Sequence, residues 1–133
     1  MPEKRTIERA REDAREGKSP GTQAGEFVRE EMDHIREGKH GARSAKQAIA
    51  IGLSKARRAG VRLQSPPSRY GNEVQRKAEL DTEHSEHKSL KISTKRSRAT
   101  SRTLKREGHA AASRSSLSKQ ARSAARSRRR KSK

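Results

Sequence analysis

TQAGEFVREEMDHIREGKHGARSAKQAIAIGLSKARRAG, residues 22–60, carries two successive apolar stripes at helical spacing. With a helix starting at Thr22, Ala24, Phe27, Val28, Met32 and Ile35 fall on one face about 140° wide, with Glu31 intruding. Gly38 and Gly41 bracket the loop GKHGAR. Ser44-Ala45-Lys46-Gln47 is a capping box: the Ser44 hydroxyl accepts from the Gln47 N–H while the Gln47 side chain reaches back. The helix it opens has Ala45, Ala48, Ile49, Gly52, Leu53, Ala56 and Ala59 on its apolar face and ends at Gly60, the expected C′ residue. Two amphipathic helices with a loop of about six residues read as an antiparallel αα-hairpin. Small residues on the second face let the backbones approach, with Phe27 and Ile35 filling against Ile49 and Leu53. A hairpin this short lies near the ~40-residue limit for independent folding, and Ile51 lies off its main face. Weak homo-oligomerisation through the hairpin is therefore expected.

Outward from the hairpin the chain becomes polar. TIERAREDARE (residues 6–16) has Thr6 placed as N-cap and Gly17 past its end. Its stripe is only Ile7, Ala10 and Ala14, which predicts a solvated helix, broken by Lys18-Ser19-Pro20-Gly21. Gln64-Ser65-Pro66-Pro67-Ser68 is an extended linker. Asn72 is placed to cap a thin helix running to about Leu90, rich in acid and histidine. The expected organisation is thus a polar helix and break over 1–21, the hairpin over 22–62, a linker and acidic/His spacer over 63–94, and a basic Arg/Ser/Ala-rich tail over 95–133. The expected fold class is mostly α with extensive disorder, the tail being disordered or inducibly helical.

Charge is sorted along the chain. Residues 1–37 hold eight basic and ten acidic side chains; residues 38–72 hold eight Lys/Arg and no acid. Residues 73–86 bring back four Glu and one Asp. From His87 to the end there are seventeen Lys/Arg against Glu107 alone, +16 of the chain's +19. Such a segment repels itself, lacks apolar area to bury, and calls for a polyanion. Arg outnumbers Lys, 22 to 13, and its planar fork suits bidentate phosphate contact.

The candidate phosphate ligands are Lys46, Lys55, Arg57, Arg58 and Arg62 on and after the second hairpin helix. In the tail they are Lys95, Arg96, Arg98, Arg102, Lys105, Arg106, Arg114, Lys119, Arg122, Arg126, Arg128, Arg129, Arg130, Lys131 and Lys133. Base readout needs side chains projected from a rigid scaffold, and single-strand binding uses aromatic platforms. With Phe27 committed to the core and Tyr70 the one other aromatic, sequence-tolerant duplex binding is expected, DNA ahead of RNA.

Other chemistry finds no support. There is no cysteine, which excludes disulfides and thiolate sites. His84 and His87 stand i, i+3 beside carboxylates but without a second shell, and read as a solvated spacer rather than a zinc site. No Walker-type loop or held Ser/His/Asp set exists, so neither an enzyme nor a cofactor or metal is expected. No apolar run reaches the ~18 residues of a membrane span, and no bulky apolar face suits a membrane surface. An intracellular, cytoplasmic protein is expected.

The stretch SAKQAIAIGLSKARRAG (Ser44–Gly60) resembles a motif of small, basic, largely uncharacterised bacterial proteins, some labelled DNA-binding. KRSRATSRTLKREG (Lys95–Gly108) and SLSKQARSAARSRRR (Ser116–Arg130) are similar to C-terminal extensions in the same group, and in composition to linker-histone tails. About a third of the chain is covered. The resemblance implies a bacterial, nucleoid-associated, histone-like protein. The alternatives are an RNA- or ribosome-associated basic protein, or a hydrophilic stress-protection protein, which a mean hydropathy of −1.33 also suits.

Overall fold

The structure, a computed structural model, describes residues 2–66, 71–86 and 93–131. Among them are six α-helices and no strand: α1 (Lys4–Arg15), α2 (Pro20–Arg36), α3 (Ala45–Arg58), α4 (Asn72–Glu86), α5 (Thr94–Arg106) and α6 (Arg114–Lys131). A 3₁₀ turn, Ala110–Ala112, precedes α6. The mostly helical reading holds. By internal contact density the chain divides into two units, Met1–Glu31 with Ala50–Ile92, and Met32–Ile49 with Ser93–Lys133. These cut across the expected segments, because each unit joins stretches distant in sequence.

The first unit is built around Phe27, which is 1% exposed among Ala10, Ala24, Ala56 and Val61, with Ile7, Leu53 and Leu63 packed against them. Burying one such ring contributes about 1.5–3 kcal/mol. The N-terminal helix is therefore not solvated as expected. Ala10, Thr6 and Asp13 are buried, and Thr6 is no cap: its hydroxyl donates to Glu30 Oε1 at 3.1 Å, which also accepts from the Glu3 N–H. Counting apolar side chains alone missed this polar tie between α1 and α2.

The second helix begins two residues early, at Pro20. Ser19 is its cap, accepting from the Thr22 N–H at 3.3 Å, and Pro at the first helical position needs no N–H partner. The segment read as a breaker is a helix start. Gly52 sits where α3 meets α2; a Cβ there would lie 2.7 Å from Val28 Cα. The third helix ends as its sequence indicates. Gly60 has φ +101°, its N–H donates to the Arg57 carbonyl and that of Val61 to Ala56, the paired bonds of a Schellman end.

In the second unit Met32, Ile35, Ala42, Ala45, Ala48, Ala111 and Ala112 are buried. The capping box forms with one change: Ser44 Oγ accepts from the Gln47 N–H, but Gln47 Oε1 takes the Arg43 N–H at 2.6 Å, one residue further back. The tail, read as disordered or inducibly helical, is helical over α5 and α6. Ser93 Oγ accepts from the Arg96 N–H and Ser113 Oγ from the Ser116 N–H, so both helices are capped. Arg, Lys and Ala between the caps are strong helix formers. The loop between α2 and α3 ties the tail down by backbone: Gly41 N–H donates to the Leu104 carbonyl at 2.8 Å and Ala42 N–H to Gly108 at 3.0 Å. The Arg36 Nε–H donates to the Ala112 carbonyl at 3.2 Å.

Candidate nucleic-acid interface

Five candidate cations fall on and after α3, and their surroundings differ sharply. Lys55 is ion-paired with Glu31, the acid that intrudes on the apolar face of α2 and is fully buried. Arg58 Nε donates to Asp81 Oδ1 at 2.8 Å, and Asp81 is 1% exposed. Asp81 also accepts from Lys77 at 2.7 Å and from the Ser54 hydroxyl at 2.6 Å. The missing acids of residues 38–72 are thus supplied by α2 and α4, so Lys55 and Arg58 already hold carboxylates. The spacer read as solvated contains this buried acceptor.

Burial pushes the Asp81 carboxyl up, but the hydrogen bonds from Lys77, Ser54 and Arg58 outweigh it and hold it below the ordinary range. Arg57 donates to the Gln64 carbonyl at 2.9 Å, and burial lowers its guanidinium despite Asp81 nearby. Lys46 and Arg62 are exposed.

The tail cations stand in the opposite condition. Lys95, Arg96, Arg98, Arg102, Lys105 and Arg106 on α5 are all exposed, as are Arg114, Lys119, Arg122, Arg126, Arg128, Arg129 and Arg130 on α6. Among the described residues, no carboxylate pairs with any cation of α5, or with Lys119, Arg122 or Arg126 of α6. Lys119, Arg122, Arg126 and Arg129, with Ala125, line a shallow depression on α6. The Lys131 side chain and Lys133 lie outside the described residues.

Comparison with protein-family models, with curated proteins and with solved structures finds no match for this chain. The site is therefore read from its own charges. The first unit holds sixteen Lys/Arg and thirteen acids, net +3; the second holds nineteen Lys/Arg and three acids, net +16. Thirteen of the chain's sixteen acids lie in the first unit.

Of the five histidines, His34 and His40 meet edge-to-face with ring centroids 6.1 Å apart. His84 is half-buried on α4, and His87 falls outside the described residues. No helix among the described residues is long and apolar enough to cross a membrane.

Proposed function

We propose that the protein binds duplex DNA without sequence preference, as a nucleoid-associated protein acting by phosphate neutralisation. The observation that carries this reading is the segregation of charge: one unit is nearly neutral, with Lys18, Lys55, Arg58 and Lys77 paired to buried acids, while the other is +16. Exposed arginines lacking carboxylate partners gain more from phosphate than paired ones, which must first give up an existing bond. In this reading α2 and α3 pair as an antiparallel hairpin whose first-unit end is a scaffold and not a contact surface. The contacting cations are drawn from those of α5 and α6, with exposed Lys46 contributing from α3.

Phosphate contacts of this kind fix position but read no bases. The test is binding of the full chain to a mixed-sequence DNA duplex over a salt series. Six to ten engaged phosphates lower the affinity by about 10³–10⁵ between 50 and 200 mM salt. A flat salt response overturns the proposal, and stronger competition by structured RNA than by duplex DNA replaces DNA as the target.

A further inference from the structure

The cations of α5 and α6 follow one pattern. Lys95, Arg98, Arg102, Lys105 and Arg106 each have a cation 24 residues later: Lys119, Arg122, Arg126, Arg129 and Arg130. Within each helix the offsets are therefore the same, and at about 100° per residue they fall on one face about 100° wide. Every side chain in both sets is exposed. On α6 the half-buried Leu117, Gln120 and Ala124 lie opposite this face, and the half-buried Ser116, Ser123 and Ala125 flank it; on α5 the half-buried Leu104 lies opposite. Both cationic faces are left exposed.

Resting on the nucleic-acid reading above, we propose that α5 and α6 are two copies of one site, each holding backbone phosphates of duplex DNA. The charge density supports it. From first to last the five cations span about 16 Å of helix axis, a mean step of about 4 Å. B-DNA carries one phosphate per about 3.4 Å of axis on each strand, a comparable charge density. Ala, Ser and Thr between the cations allow close approach, and their small size leaves no apolar wedge for a lipid surface. Two such sites on one chain make the protein bivalent, which multiplies affinity or bridges two duplexes.

Two variants of the full chain with equal net charge separate this arrangement from charge alone. One carries Arg102→Gln, Arg122→Gln and Arg126→Gln, all on the faces described. The other carries Arg96→Gln, Arg114→Gln and Arg128→Gln, all more than about 100° from the centre of those faces. Gln is a good helix former, and circular dichroism checks that helicity is kept. The first variant is expected to reduce the slope of log affinity against log salt by about 2.7, narrowing the 50-to-200 mM affinity change about 40-fold. The second is expected to change the slope by less than about 1. Arg102→Lys, Arg122→Lys and Arg126→Lys together keep the wild-type slope.

An independent reading comes from the wild-type side-chain Nε–H signals: on adding duplex, those of Arg98, Arg102, Arg122 and Arg126 shift and those of Arg96, Arg114 and Arg128 do not. Equal losses in the two Gln variants, or uniform shifts, overturn the paired faces while leaving DNA binding intact. Absence of salt-dependent binding by the wild type overturns the DNA reading itself.

Discussion

Asp81 receives three donors from two helices, Ser54 and Arg58 on α3 and Lys77 on α4, while almost no water reaches it. A carboxylate so placed joins α4, whose own apolar content is poor, to the rest of its unit. Because its native pKa is depressed, the unfolded chain holds that proton more tightly than the folded one. The stabilisation is therefore complete above the ordinary carboxylate value of 3.8 and is lost as pH falls through the lower native value. Arg58 and Lys77 are 42% and 55% exposed in their side chains, so water screens the pair. Asp81→Asn is expected to cost about 1–2 kcal/mol at neutral pH, short of the ~3–5 of a fully buried pair. The cost should shrink towards zero in strong acid. Denaturant unfolding of both proteins across pH measures it; a gap constant down to the lowest pH would show that Asp81 acts through shape rather than charge.

Two glycines in helix interiors separate packing from propensity at the level of the elements. On α3, a Cβ at Gly52 meets Val28 backbone and Cγ2 at 2.7–3.0 Å, so the helices must move apart. On α2, a Cβ at Gly25 meets nothing within 4 Å. Alanine gains about 0.5–1 kcal/mol of helix propensity at either position. Gly25→Ala should therefore raise the unfolding midpoint, while Gly52→Ala loses about 1–3 kcal/mol to overpacking and falls below wild type. Urea unfolding of the two variants decides; equal midpoints would mean that α2 and α3 do not meet at Gly52.

The same contrast explains what the sequence could reveal. Gly52 on a small-residue face, the Ser44 cap and the Gly60 end are local patterns, and each was legible. The partners of Thr6, Lys55 and Arg58 lie 23 or 24 residues away on other helices. Local spacing puts Glu31 on an apolar face, but nothing in it marks Glu30 or Asp81 as a buried acceptor. The tail helices were legible only as inducible ones for a related reason: their supports are serine caps and backbone bonds from Gly41 and Ala42, which leave no apolar stripe to count. Of the candidate cations, the tail set was legible from composition, but which cations of α3 keep their charge uncompensated depended on the fold.

At the scale of the molecule, charge asymmetry sets salt two opposing tasks. A unit of net +16 is strained by self-repulsion, and ions at physiological strength screen charges beyond about 8 Å. Neither α5 nor α6 has an acid in its first turn, so cations there also oppose the helix dipole. Added salt relieves both effects in this unit. In the first unit, net +3, self-repulsion is small and the Asp81 and Glu31 pairs weaken slightly as salt rises. Hydrogen exchange along the chain should therefore show amides near Leu104 and Ala124 gaining protection between low and moderate salt, while those near Ala10 and Ala56 change little. Duplex DNA at low salt should produce the same protection in α5 and α6, since phosphates substitute for the dissolved anions. Binding and salt then compete for one set of charges: the ionic strength that best orders the free protein is where its hold on DNA has already begun to fall. Protection rising equally in both units would mean that the +16 unit carries no particular electrostatic strain, and the link between its stability and its binding would fail.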